Sequence, residues 1–179
     1  MEIGVISVRY ARALLKGATA VQCEDRVYGE MQALAKSYIE VPELRFTVDN
    51  PMLAKAAKKQ LLEAACGTQG VGELTSRFIS LVLKEDREKY MQFMANSYVS
   101  LYRKQKNITR GRLITATAVS PATEQKMKQM VERKTKGTVQ FLSEIDPSII
   151  GGFILEYDTY RMDNSVQTQL RTVLTQLKK

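Results

Sequence analysis

The sequence predicts a mainly α chain, with an N-terminal six-helix bundle over residues 1–106 and a small C-terminal α/β domain over residues 107–179. Three observations lead there. Apolar residues recur every three or four positions as far as Lys106, which is the period of one face of a helix. From Gly111 onward, alternating and β-branched runs take over, as strands require. And 44% hydrophobic residues with only four prolines and ten glycines in 179 residues is a globular composition that needs no metal or disulfide to close a core.

In the first region, Val5, Val8 and Leu15, with Ala11 and Leu14 beside them, mark a helix ending near Gly17. Val27, Met31, Leu34 and Tyr38 step along a second, which must stop before Pro42 because proline disfavours the α conformation in the residue ahead of it. A short third piece carries Leu44, Phe46 and Val48. For the fourth helix, Asp49 and Asn50 are candidate caps and Pro51 suits a first helical position, where its missing N–H costs nothing. Leu53, Ala57, Leu61 and Ala64 line its face, and Gly67 closes it. Leu74, Phe78, Leu81 and Val82 stripe the fifth helix, and Tyr90, Phe93, Met94, Ser97, Tyr98 and Leu101 the sixth. Each stripe needs a partner to bury it, so the six pack as a bundle.

In the second region, Leu113, Thr115, Thr117 and Val119 alternate with Ile114, Ala116 and Ala118 along a strand. Ser120 and Pro121 open a helix holding Met127, Met130 and Val131, which Gly137 terminates. A second strand, "TVQFLSEI", carries Val139 and Leu142. A third sets Phe153, Leu155 and Tyr157 against Ile154, Glu156 and Asp158. The last helix repeats Val166, Leu170, Val173, Leu174 and Leu177. Strand, helix, strand, strand, helix in about 70 residues is a small core, expected to be less stable than the bundle.

Lysine and arginine total 27 against 19 acidic residues, a formal +8, which favours anionic partners. The excess is even: 16 basic and 12 acidic side chains up to Lys106, 11 and 7 beyond. The densest cluster, "YRKQKNITRGR" from Tyr102 to Arg112, reads as a solvated linker. Cys23 and Cys66 read as small packed side chains in a reducing compartment. No run approaches the ~20 apolar residues of a bilayer-spanning helix. Arg9, Arg12 and Lys16 interrupt the apolar core a secretory signal would need, so the N-terminus reads as part of the bundle rather than as a signal or an organellar presequence.

Catalytic chemistry is poorly supplied. The chain has no histidine, the commonest general base and metal ligand, and two cysteines about 40 residues apart lack zinc-site spacing. Neither a phosphate-binding Walker loop nor a Gly-x-Ser-x-Gly elbow occurs. "KEDREK" at residues 84–89 interleaves its charges and reads as an ion-paired corner. Gly151 and Gly152 precede a strand instead of following one, the wrong order for a dinucleotide loop. They suit a bulge or close backbone approach after a turn at Asp146 and Pro147. Asp163 or Asn164 is the expected cap of the last helix, with Gln167 completing a loose capping box. No catalytic, metal-binding or cofactor-binding residue is expected.

The segment "DPSIIGGFILEYDTYRMDNSVQTQL" resembles the C-terminal signature of the delta subunit of F-type ATP synthases, the oligomycin-sensitivity conferral protein family. Asp146, Pro147, Ile150, Gly151, Gly152, Phe153, Asp163, Ser165, Val166 and Leu170 carry the match. "RYARALL" at Arg9–Leu15, Asn50 and Pro51 with Lys58 and Leu61, and "FISLVLKEDR" at Phe78–Arg87 extend it over essentially the whole chain. The chain departs from the pattern where the family commonly has a Gly-Asp turn, here Asp158, Thr159 and Tyr160, and in "AVSPAT" after the first strand.

The resemblance implies a six-helix domain and a smaller α/β domain. It implies a non-catalytic stator subunit of the proton-translocating ATP synthase, peripheral at the cytoplasmic face of a bacterial membrane, with no membrane insertion and no homo-oligomer of its own. It further implies a groove between helices one and five that receives the N-terminal helix of an alpha subunit, and a C-terminal domain that meets the peripheral stalk b subunits. Carried onto this chain, the groove falls on Tyr10, Ala13, Leu14, Phe78, Leu81 and Val82, a set suited to helix-in-groove binding. Gly151, Gly152, Asp163 and Ser165 are the fold signature. The alternative from charge is a basic helical nucleic-acid-binding module, against which stand the even charge and the lack of a stacking platform. A linker in some other membrane complex is a third reading.

Overall fold

The computed structural model describes residues 3–67, 70–135, 137–157 and 159–177. The chain divides into two units, Met1–Tyr102 and Arg103–Lys179.

The first unit is helical: α1 (Ile3–Ala20), α2 (Glu24–Glu40), α3 (Glu43–Asp49), α4 (Lys55–Ala65), α5 (Glu73–Lys84) and α6 (Met91–Gln105), the last reaching just past the boundary. Ala11, Met31, Leu34, Val48, Leu62, Ile79, Val82, Met94 and Tyr98 meet in its core. The predicted stripe of α2 is buried at all four positions. In seven-residue α3 only Leu44 and Val48, four apart, are buried, and Phe46 between them is 76% exposed.

Two stripes fall elsewhere than predicted. In α4 the buried residues are Lys58 and Leu62, followed by Cys66, while Leu61 is exposed. The reason is an ion pair: Lys58 Nζ lies 2.7 Å from Glu88 Oε1, with both side chains largely buried. A lysine that a hydrophobic pattern assigns to the surface thus turns the helix by about one position. Asn50 and Pro51 do not cap α4 either; the Met52 N–H donates to Asn50 Oδ1 (2.9 Å), closing a local turn, and the helix starts four residues after Pro51. In α6 the buried set is Met91, Met94, Ala95, Tyr98, Val99 and Tyr102, because the two tyrosines reach α2. Tyr98 donates to the Glu24 carbonyl (3.3 Å) and Tyr102 to the Asp25 carboxylate (2.6 Å). The Tyr102 ring also stacks on Tyr28 at 4.3 Å. Burial pushes the Tyr102 phenol up to about 12, and its hydrogen bond to Asp25 adds to the shift. Cys23 and Cys66 are free thiols; burial pushes that of Cys66 up to about 12.

The second unit holds β1 (Ile108–Thr115), α7 (Pro121–Thr135), β2 (Thr138–Ile145), β3 (Phe153–Tyr157), β4 (Tyr160–Asp163) and α8 (Val166–Leu177). The sheet order is β2-β1-β3-β4. β1 and β2 are parallel, joined through α7 as a parallel pair must be by a crossover. β1 with β3, and β3 with β4, are antiparallel. Leu113, Val131, Val139, Leu155 and Tyr157 form the core on one face, and Ile114, Ile149 and Ile154 a smaller cluster on the other.

Strand β4 is additional to the predicted order. At four residues, "YRMD", it is too short and polar to alternate legibly. β1 begins at Ile108 and ends at Thr115, so half of the basic cluster read as a linker is strand. Arg112 pairs with Glu144 on β2 and with Glu156 on β3 (3.7 Å), and cross-strand charge pairs of this kind support a sheet. The strand stops because the Thr115 hydroxyl donates to the Thr117 carbonyl (2.9 Å), bending the chain away. Asp158 lies outside the described residues.

Candidate partner-binding groove

The geometry of α5 sets up a surface. Its core stripe is Thr75, Ile79, Val82 and Leu83. Leu74, Phe78 and Leu81, spaced four and three, make a second apolar stripe on an adjacent face, and Leu81 is 49% exposed. A helix with a single buried face has no use for such a wide apolar arc.

Opposite it, α1 presents Tyr10, Ala13 and Leu14. The small Ala13 side chain leaves a cavity of about 400 Å³, lined from α1 by Arg9, Tyr10, Ala13 and Leu14 and from α5 by Leu74, Arg77, Phe78 and Leu81. Leu14 and Phe78 are buried at its floor, and Leu81 stands at its rim. Tyr10 meets Phe78 edge to face at 6.4 Å. The Arg87 guanidinium lies 5.4 Å from the centroid of the Tyr10 ring and donates to its hydroxyl (2.8 Å), fixing the ring at the groove edge.

Of the six residues assigned to the groove from sequence, Tyr10, Ala13, Leu14, Phe78 and Leu81 line this cavity. Val82 does not; it is 0% exposed and belongs to the core stripe. Periodicity alone groups Leu81 with Val82, because neighbouring residues sit only 100° apart on a helix. Arg9, Leu74 and Arg77 line the cavity as well and lie outside the set assigned from sequence, although Leu74 shares the spacing of Phe78 and Leu81.

Both ends of α5 are held by polar contacts. At its start, Glu30 on α2 accepts from the Gly72 N–H (2.7 Å) and from Arg26 Nε (3.0 Å), satisfying the amide of the N-cap residue from a neighbouring helix, as the glutamate of a capping box does from within. Just beyond its end, the Lys58–Glu88 pair ties the corner to α4. A wall fixed at both ends keeps the groove preformed.

In the second unit, the signature residues build the start of α8. Ser165 is the cap, in place of the expected Asp163 or Asn164: its Oγ accepts from the Thr168 N–H (3.2 Å). Asp163 stands behind it, accepting from the Ser165 hydroxyl (2.6 Å) and N–H (3.0 Å) and from the Thr168 hydroxyl (3.1 Å). These bonds, that of the Ser165 hydroxyl foremost, hold the Asp163 carboxyl below its ordinary value. Gly152 has φ +76, and a Cβ there would collide with the Asn164 carbonyl oxygen. The Gly151 carbonyl accepts from the Val166 N–H (3.0 Å). The glycines therefore let β3 and the start of α8 approach, and they frame no phosphate site.

Beyond that anchored start, α8 buries no residue. Val166, Leu170, Val173 and Leu177 repeat at four, three and four, with Leu174 alongside, and the last four are half or more exposed. That spacing places them on one continuous apolar face of the helix.

Comparison with known proteins follows the same lines. Residues 6–177 match the family described as ATP synthase delta (OSCP) subunit. The ATP synthase subunit delta of Phocaeicola vulgatus is 48% identical over 176 residues, 98% of this chain and 95% of that protein. That of Parabacteroides distasonis is 45% identical, covering 99% and 98%. Among solved structures, a chain of the Toxoplasma gondii mitochondrial ATP synthase hexamer superposes with a TM-score of 0.66 over 97% of both chains at 22% identity, a likeness of fold.

Proposed function

Since the chain belongs to the ATP synthase delta (OSCP) subunit family, a non-catalytic stator component of the F-type enzyme, we propose that it grips the catalytic head and the peripheral stalk through two separate surfaces. The groove between α1 and α5 receives the N-terminal helix of an alpha subunit, and α8 meets the stalk b subunits. By holding both, it keeps the head from turning with the rotor. Among the described residues no helix is long and apolar enough to cross a membrane, which agrees with a peripheral position, at the cytoplasmic face in this proposal.

One observation carries the head contact: α5 has an apolar stripe, Leu74, Phe78 and Leu81, that its own bundle leaves lining an open cavity. An amphipathic helix is the complement of such a groove. The stalk contact rests on the apolar face of α8, which needs a partner to bury it.

The nucleic-acid reading is not supported: the family match spans residues 6–177, and one cation of the cluster that prompted it, Arg112, is paired with Glu144 and Glu156.

Titration of the purified chain with a synthetic peptide of the alpha N-terminal helix tests the groove. Binding is expected, and Leu81→Asp is expected to abolish it with helicity unchanged. A folded chain that does not bind the peptide sinks the assignment.

A further inference from the structure

We propose that the α1 lip of this groove selects by charge, and that its occupant is a helix carrying carboxylates along one flank of its apolar stripe. The inference rests on the helix-in-groove reading and adds which chemistry the groove demands.

The lip is built from Arg9, Arg12 and Lys16, spaced three and four, on the outward side of α1 next to Ala13. From Arg9 to Lys16 they span roughly 10 Å of helix. α1 contains no acidic residue between Ile3 and Ala20, so none of the usual i,i+4 partners is available. Among the described residues, none of the three enters an ion pair. Arg9 and Ala13 line the groove on one side and, on the other, a shallower hollow with Val5, Val8, Arg12 and Lys16. The cations therefore stand along the edge of an apolar surface without being part of its floor.

The opposite lip differs. The charged residue that α5 contributes to the cavity is Arg77, and it is paired with Glu73 one turn back. At the end of the groove and off the α5 lip, Arg87 is held against Tyr10 by a hydrogen bond and ring contact, which fixes its position and leaves its charge. One lip is thus a row of cations with no ion-pair partner among the described residues, and the other is self-neutralised. This asymmetry fixes how an occupant rotates about its own axis: apolar residues inward, an acidic flank toward α1, a neutral flank toward α5. Rim charges of this kind set register and encounter rate and suppress wrong partners more than they add raw affinity.

The test uses the full chain and two peptides, the N-terminal segment of the alpha partner and the same segment with every Asp and Glu replaced by Asn and Gln. By fluorescence anisotropy at low salt, the amidated peptide should bind about tenfold more weakly, the scale of three exposed pairs. In about 0.5 M NaCl, where screening cuts the reach of these charges to a few ångströms, the two should converge. The double variant Arg12→Glu and Lys16→Glu, both at exposed helix positions, should lose affinity for the native peptide and keep it for the amidated one. Equal binding of the two peptides, or no response to the charge reversal, overturns the charge assignment while the groove survives. If neither peptide binds the folded chain, the groove falls and the charge assignment with it. Association with vesicles containing phosphatidylglycerol, lost in the double variant and accompanied by no preference between peptides, assigns the lip to a lipid surface and overturns the proposal.

Discussion

Helices α5 and α8 leave apolar surface free in opposite ways. α5 is clamped at both ends and buries a full stripe in the bundle core while presenting a second to the groove. α8 is anchored only at its first turn, through Ser165, Asp163 and the Gly151 carbonyl, and buries nothing along its length. The first walls an open groove. The second owes its order in the free chain to local hydrogen bonds. Partner binding stabilises either unit by an amount set by ligand concentration relative to Kd, but new protection of side chains and amides should concentrate on α8, which the free chain leaves uncovered. The resources differ too: six helices share the bundle core, whereas the sheet keeps two small clusters.

The largest expected effect separates the two faces of α5. Ile79→Ala opens a void in the core and should cost about 2–5 kcal/mol of stability. Leu81→Ala, two residues on, should stay within about 0.5 kcal/mol while weakening groove binding. Urea unfolding followed by circular dichroism reads both, and equal costs would mean that α5 has no second face. Next in size is Gly152→Ala. The left-handed backbone and the close approach to the Asn164 oxygen should cost on the order of 1–3 kcal/mol, confined to the C-terminal unit. Hydrogen exchange should then show protection lost in β3, β4 and α8 and kept in α2 and α6. Loss in both units together would show that they unfold as one.

How far these positions are legible from sequence depends on what fixes them. The α2 stripe is readable because only apolar packing decides it. α4 is not, because the Lys58–Glu88 pair is made between residues 30 positions apart and sets a lysine where a pattern expects leucine. The α6 stripe moves for a similar reason, two tyrosines reaching polar partners on α2. Of the six residues that the family resemblance assigns to partner binding, five line the α1–α5 cavity; Val82 lies in the core instead, because a stripe two residues wide does not say which side faces inward. Strand β4 escapes because four residues cannot display a period. The cap at Ser165 hides among its neighbours, all three being good cap residues; only the geometry of Gly152 selects among them.

The two units should also fail at opposite ends of the pH scale. In the bundle, Tyr98 and Tyr102 titrate above the ordinary phenol value, chiefly through burial. A group whose folded pKa is raised contributes stability below its unfolded pKa, and that contribution is lost as pH rises through the folded value. The bundle should weaken from about pH 10 toward 12, and Tyr102→Phe should blunt part of the loss. In the C-terminal unit Asp163 titrates below the ordinary carboxylate value because of its bonds to Ser165 and Thr168. Its contribution is present above the unfolded pKa and lost as pH falls through the folded one, so α8 should fray below about pH 4 while the bundle holds. Exchange measured at both extremes separates the two, and a common pH of failure would contradict the division.

The smallest effect expected on the isolated chain is the most informative about α8. Leu170→Gln and Leu174→Gln replace side chains already half exposed, so stability should change by no more than about 0.5 kcal/mol. The helix also keeps its capped first turn, and glutamine is as good a helix former as leucine to within a few tenths of a kcal/mol. In the presence of the soluble part of the stalk b protein, the same pair should lower affinity about tenfold or more, as loss of buried apolar anchors does, and should abolish the exchange protection that the partner confers on α8. A drop in stability of more than about 1 kcal/mol without the partner would mean that α8 is already packed in the free chain. The contrast with α5 would then disappear, because both helices would be scaffold and neither uncovered. If instead stability holds and the stalk protein binds the variant unchanged, α8 is uncovered for another reason and the stalk contact lies elsewhere on the unit. The two measurements together decide which helix is the wall of a receptor and which is half of an unfinished interface.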